Sequence, residues 1–572
     1  MKPRLLMALP LLARPCGRVG SCFATAGLRA RVRSPLRLRV NTVLRRCLLA
    51  VLASGSVAAA EPNASPFTID EIDTGVAAHQ TILLGSFTGT GRTEFGVLDG
   101  GAYREGRLRI FGLEGEEWQV VRDATVPGGV TFVDVAVIGG RDHPIFHRPG
   151  GFSAFDAAAG TERGLVSVPG HVHFTEGGRV PRIDATRDLN GDGMDDLVLP
   201  TADGFWIALQ NADGTFADPA KLGPKEPHLD DKAYGDERTY GEVGITPQNL
   251  PWYLGRVHQF DYDRDGRQDL VFWNAGHFQV HRQDETGGFH TSPITFTTEA
   301  PFDFDGTYAL AFQFGDRAVP ALLLGLGGRF DYTVLNGFRD LNDDGIADLV
   351  TVSFSGRRVF SLRGRFDVYF GRAAPGATTF NATPDTAAET PGPAGGMAWG
   401  YATQRYMDVD SDGKTDIALA AVDTGLGGMV KAMAGKSITL DLALYRLRDN
   451  AYPKEPDAVR RVRTRFAPFD KRGVLFPLVL IGDVDGDGQA DLLTGNRWDR
   501  LSVNYGGPGR DPFAGDPVHV TVDLPSNEAN SMLADLNHDG RQDVVLYHPS
   551  DEAPNRLLIL LGGGAVENGA GS

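Results

Sequence analysis

What this 572-residue chain lacks narrows its function before any motif is read. Its three cysteines are Cys16, Cys22 and Cys47, so residues 61–572 have none. A disulfide framework, a cysteine-ligated zinc site and an iron–sulfur cluster are therefore excluded from that part. Residues 1–60 contain ten Arg and one Lys but no Asp or Glu. Without them the net charge falls from −17 to −28. A body this acidic lacks the basic footprint that nucleic acid or an anionic membrane surface requires. No apolar run approaches the roughly 20 residues of a bilayer span. Helical periodicity is nearly absent, the one candidate being the short stretch Gly428–Ala434. There is no Gly-x-Ser-x-Gly elbow, no phosphate-binding glycine loop and no His-Glu-x-x-His pair. With 42% hydrophobic and 23% charged residues the chain is still globular, and 73 glycines suit a fold rich in tight turns.

The basic leader reads as an export signal. Arg45 and Arg46 form a positive start, Cys47–Ala53 a short apolar run, and Ala58–Ala60 the small residues of a cleavage site near Ala60. Residues 1–39 read as a mis-assigned start, with translation beginning near Val40. The mature protein is then expected to be secreted or periplasmic. Residues 563–572 read as a flexible tail.

One nine-residue pattern occurs six times, over Asp188–Asp196, Asp261–Asp269, Asp340–Asp348, Asp408–Asp416, Asp483–Asp491 and Asp535–Asp543. Position 1 is always Asp, position 3 Asp or Asn, position 5 Asp, position 6 Gly and position 9 Asp. Position 2 is apolar or aromatic, and position 10 is Leu, Ile or Val. Short apolar runs of strand type follow each copy, for example Leu197–Leu199 and Leu270–Phe272. A second strand and a turn are clearest over Gly204–Phe216. The copies start 73, 79, 68, 75 and 52 residues apart. About 50 residues suffice for four short strands. Upstream, Ser86–Glu94 keeps the outline with most acids replaced, and a fainter echo lies near Val135–His143. Seven or eight units result. Each alone leaves its sheet faces bare, so the expected fold is all-β, a seven- or eight-bladed β-propeller over residues 61–562.

The spacing suits calcium, which takes six to eight oxygen ligands. Side-chain oxygens are expected from Asp188, Asn190, Asp192 and Asp196; Asp261, Asp263, Asp265 and Asp269; and Asp340, Asn342, Asp344 and Asp348. The second half of the chain adds Asp408, Asp410, Asp412 and Asp416; Asp483, Asp485, Asp487 and Asp491; and Asp535, Asn537, Asp539 and Asp543. Glycine at position 6 permits the bend. The position-7 carbonyl completes each set, which leaves its side chain free to vary: Met194, Arg267, Ile346, Lys414, Gln489 and Arg541. The position-9 carboxylate is expected to close the shell with both oxygens. About six Ca²⁺ ions are expected, and none in the loop where Ser86, Thr88 and Thr90 replace the acids.

These loops and the strands after them resemble the FG-GAP/VCBS repeat family, the calcium-binding propeller repeats of integrin α-subunits and of many secreted bacterial proteins. The resemblance covers roughly residues 80–560. It implies a propeller with calcium bound at loop positions 1, 3, 5 and 9. About activity it implies little, because the family includes adhesion domains, lectin-like binders and a few polysaccharide lyases.

The irregular stretch Lys221–Arg256 is the expected ligand-binding insertion. Trp252 and Tyr253 would stack on a sugar ring, with Tyr240 and Arg238 beside them. His171 and His173 share one side of an expected strand, His258 is expected beside the Asp261 loop, and Arg446–Lys471 reads as an exposed charged flap. The leading expectation is a non-catalytic binding or adhesion scaffold for a glycan or a protein. The rival is a polysaccharide lyase or glycosidase on the same frame.

Overall fold

The computed structural model describes residues 65–563 except 77–79, 116, 170–179, 202–203, 225–244, 246–256, 275, 306–329, 357–362, 391–403, 423–433, 435–436, 466–477, 527–529 and 551–552. The described elements are all strands. Eight sheets of at least four strands, antiparallel but for one short parallel strand, are the blades of a propeller, and Arg372–Ala374 with Ala377–Thr379 makes a separate two-stranded sheet.

Blade 1 runs Gln80–Gly85, Glu94–Asp99, Gly106–Glu114 and Glu117–Val126. Blade 2 runs Phe132–Ile138, Arg141–Arg148, Gly151–Asp156 and Thr161–Ser167. Blade 3 runs Thr186–Arg187, Asp196–Thr201, Gly204–Ala208 and Ala220–Leu222, and blade 4 His258–Phe260, Asp269–Asn274, His277–His281 and Ile294–Phe296. Blade 5 has Phe330–Arg339, Asp348–Gly356, Arg363–Tyr369 and Thr386–Glu389, with Phe304–Asp305 added in parallel to its first strand. Blade 6 runs Gln404–Met407, Asp416–Val422, Ser437–Tyr445 and Ala458–Arg465. Blade 7 runs Leu478–Gly482, Asp491–Arg497, Arg500–Asn504 and Val518–Val520.

Blade 8 closes the ring. Ser531–Ala534, Asp543–His548 and Asn555–Gly562 come from the end of the chain, and Phe67–Gly75 from its beginning. The two ends pair antiparallel from Phe67 opposite Gly562 to Gly75 opposite Asn555.

The strand pattern explains why eight blades cohere. Successive side chains point to opposite faces of a strand, so a strand apolar at every position feeds two interfaces. Leu197 and Leu199 pack toward blade 2, while Val198 packs toward blade 4. Eight buried clusters result, one between each pair of successive blades and the last between blades 8 and 1. Fully burying a Leu, Val or Phe side chain stabilises by about 1.5–3 kcal/mol, so each interface is a small core of its own. First strands meet between blades 1 and 2, 2 and 3, 4 and 5, and 7 and 8, which places first strands around the centre. Because every blade alternates direction alike, the loops between first and second strands all lie on one face. The connections between blades start and end on the other.

Two expectations change. The echo near Val135–His143 is no loop: Phe132–Ile138 turns into Arg141–Arg148 through Gly139 and Gly140, both at positive φ. The charged Arg446–Lys471 stretch is only partly a flap, since Ala458–Arg465 is the outer strand of blade 6. The helical candidate Gly428–Ala434 lies, except for Ala434, outside the described residues.

Candidate metal centres

Each acidic loop joins the first strand of its blade to the second, and its ninth residue is the first residue of that second strand. The six loops share one set of internal hydrogen bonds. One oxygen of the first carboxylate accepts from the amide of the sixth residue, at 2.8 Å for Gly193, Gly266, Gly345 and Gly488, 2.9 Å for Gly413 and 3.0 Å for Gly540. The fifth carboxylate accepts from the seventh amide at 2.8–3.0 Å. The chain therefore curls around its own side chains. The second residue anchors the curl: Leu189, Tyr262, Leu341, Val409, Val484 and Leu536 are each buried in the interface with the next blade.

Curling needs two left-handed residues per loop. The glycine at position 6 is one, with φ between 81° and 89° except for Gly345 at 78°. Position 4 is the other: Gly191, Arg264, Asp343, Ser411, Gly486 and His538 all have positive φ. None is β-branched, the class least able to adopt this conformation.

The position-9 carboxylates are fully buried. One oxygen accepts the second residue's amide, as Asp348 does from Leu341 at 2.9 Å. The other accepts an amide at the end of the third strand, as Asp348 does from Gly371 at 2.9 Å. Asp196, Asp269, Asp416, Asp491 and Asp543 repeat the arrangement. The sequence reading assigns both oxygens to an ion. Since both accept amides, the first role of this residue is to brace loop against sheet. Burial pushes the carboxyls of Asp196, Asp348, Asp416 and Asp491 up to about 7 and that of Asp269 up to about 6, and raises that of Asp543. The two amide hydrogen bonds oppose the rise, and neighbouring loop carboxylates add to it.

The donor set fits a hard cation. Asp261, Asp263 and Asp265 each bring an oxygen within 4.8 Å of the others, as do Asp408, Asp410 and Asp416, and Asp483, Asp485 and Asp491. At position 3, Oδ1 of Asp263 and Oδ1 of Asn342 are buried without a hydrogen-bond partner. Asn342 is only 8% exposed. A buried acceptor without a donor is costly, and an oxygen-seeking divalent cation is the group that would satisfy it.

The blade 1 loop folds alike without the acids. Gly89 and Gly91 supply its two left-handed residues, and Phe87 its buried anchor. Glu94, one methylene longer than Asp, reaches into the loop, where it accepts the Thr88 amide at 2.7 Å and the Thr88 hydroxyl. Beside it lies a cavity of about 340 Å³ bordered by Arg141 and Asp142 of blade 2.

Trp252, Tyr253, Tyr240 and Arg238 lie outside the described residues, as do His171 and His173. Ile245, the one described residue of 225–256, is buried among blade 8 and blade 1 side chains. His258 is buried in the first strand of blade 4. Its Nε2 faces Asp305 Oδ2 at 3.3 Å, and its ring meets Phe338 edge-on.

The fold and its repeated loops define the class: an eight-bladed, all-β propeller. No family model matches the chain, and no curated protein does. Solved structures align with it. An Agrocybe aegerita lectin, described as recognising non-reducing terminal N-acetylglucosamine, is 16% identical, with a TM-score of 0.35 over 68% of this chain and 80% of that one. A V. cholerae biofilm matrix protein is 12% identical, with a TM-score of 0.28 over 86% and 89%. An exotype rhamnogalacturonan lyase is 12% identical, with a TM-score of 0.25 over 86% and 91%.

Proposed function

We propose that this protein is an exported, calcium-stapled propeller of the FG-GAP/VCBS type that serves as a non-catalytic binding scaffold for a glycan or a protein. The observation that carries the calcium reading is the pair of orphaned position-3 oxygens, Asp263 Oδ1 and Asn342 Oδ1, in loops whose every donor is a hard oxygen. The binding reading rests on the architecture. Eight interfaces hold the frame together, one face is taken up by the repeated loops, and the connections between blades start and end on the opposite face. Such connections on a rigid frame are where ligands are held. In the sequence, the longest stretch between the strands of successive blades contains 225–256, with Trp252, Tyr253, Tyr240 and Arg238.

A glycan array probed with the full chain, in calcium and in chelator, tests this. Retention of a defined sugar in calcium, with the sugar chain unchanged afterwards, is the expected result. Shortening of the bound chain with release of new sugar ends would replace the scaffold reading with that of a lyase or glycosidase.

A further inference from the structure

The six acidic loops are of two kinds. Blades 3, 5 and 8 carry Asn at position 3, whose amide donates to the fifth carboxylate at 2.9, 3.1 and 3.2 Å. Blades 4, 6 and 7 carry a fourth carboxylate there. In two of these an arginine from outside the loop bonds to the extra charge. Arg282 Nη1 donates to Asp263 Oδ2 at 3.3 Å, and Arg446 Nη1 to Asp410 Oδ2 at 3.1 Å. In blade 7 the side chain of Arg541, from the blade 8 loop, lies against Gly486, the neighbour of Asp485; a Cβ on Gly486 would stand 2.9 Å from its Nε. Among the described residues no arginine pairs with Asn190, Asn342 or Asn537.

Arg282 and Arg446 hold the same place in their blades. Each follows the last residue of the third strand, and each precedes the amide bonded to the position-9 carboxylate, Gln283 and Leu447. In blades 3, 5, 7 and 8 that place is taken by Leu209, Phe370, Tyr505 and Leu561. The guanidinium thus occurs where the third position is Asp and not where it is Asn, with blade 7 borrowing its cation from next door. Asp263 divides its oxygens: Oδ2 takes Arg282, and Oδ1 has no partner. Blade 4 goes further, because Arg267 also pairs with Asp265.

We infer that Arg282 and Arg446 are resident counter-charges, which neutralise the fourth carboxylate, hold the all-aspartate loops closed without an ion, and lower their affinity for a divalent cation. The inference rests on the calcium reading above. A fixed positive charge a few ångströms from a cation site repels the incoming ion, while the same charge relieves repulsion among carboxylates when the site is empty. Blade 4, with two guanidinium groups, is then the weakest of the six sites, and calcium would fill the ring in steps.

The test is a calcium titration of the full chain against a chromophoric chelator, with thermal unfolding in calcium and in excess chelator. Arg282→Gln is the informative variant, because that side chain is 45% exposed and bonds to no group but Asp263 among the described residues. The weakest stepwise constant should tighten about two- to fivefold, the worth of a half-exposed ion pair. The melting temperature should fall in chelator and hold in calcium. Arg461→Gln, which removes a more exposed pair between the outer strand of blade 6 and Asp441 on its third strand, should change none of the constants. Six bound ions with unchanged constants in Arg282→Gln, or a weakened one, would overturn the counter-charge alone. No ion bound by the unaltered protein would overturn it together with the calcium reading.

Discussion

The blade 1 loop and the six acidic loops follow the same backbone path with different chemistry, and the difference separates what shapes a loop from what occupies it. Both kinds have left-handed residues at positions 4 and 6 and a buried apolar residue at position 2. Neither feature depends on a metal. In Ser86–Glu94, the Thr88 amide and hydroxyl meet the inward-reaching Glu94, so the loop satisfies itself. In the acidic loops Asp is too short for that reach. It turns instead to the second amide and to the third strand, leaving the loop centre to crowded oxygens, two of them without any donor. The acids are therefore not what bends the chain, and their repetition is what the proposed calcium sites would account for.

The largest effect expected from this contrast is a pH dependence that calcium reverses. In chelator, six position-9 carboxyls titrate above their ordinary value of 3.8, several of them near 7. A group raised by folding contributes stability that is complete below about pH 4 and lost as the pH climbs through about 6 to 7. Chelated protein should thus melt several degrees higher near pH 5 than near pH 8. In calcium, which binds the charged form, the order should invert. Denaturation scans at the two pH values check both signs.

Next in size is Asp348→Ala. It orphans the buried amides of Leu341 and Gly371 and should cost about 2–5 kcal/mol in urea unfolding, with or without calcium. A loss seen only in calcium would make Asp348 a ligand first and a brace second. Smaller still is conversion of the blade 1 loop by the combined changes Ser86→Asp, Thr88→Asp, Thr90→Asp and Glu94→Asp. One additional ion should bind, and at calcium tenfold above its dissociation constant it should add about 1.4 kcal/mol. Binding isotherms of the two proteins give that difference directly. The smallest change is Arg264→Gly at position 4 of the blade 4 loop. It should gain at most about 1 kcal/mol by relieving a left-handed arginine at φ 64°.

The fold was legible because its signal is periodic. Six copies of one loop, each followed by a short apolar strand, lead to a closed ring of repeats, and the structure resolves seven or eight blades as eight. The eighth could not be counted securely, because blade 2 has only Gly139–Gly140 where the others have a loop, and because blade 8 borrows its outer strand, Phe67–Gly75, from the other end of the chain. The acidic positions of the loops could be read residue by residue, because their spacing repeats. The brace at position 9 could not, since its partners, such as Gly371 and Leu447, lie 23 and 31 residues away. The left-handed fourth position also leaves little trace, because Arg264, Ser411 and His538 are not residues that announce such a conformation. Arg282 and Arg446 did have a signal, the alternation of Asp and Asn at position 3, which becomes readable once the blades are aligned.

The most direct test is a count of calcium in the folded full chain after equilibrium dialysis, paired with its melting temperature in calcium and in chelator. The account predicts six ions per chain and a melting temperature that drops sharply when they are withdrawn. A chain that retains no calcium and melts at the same temperature in both conditions would contradict it.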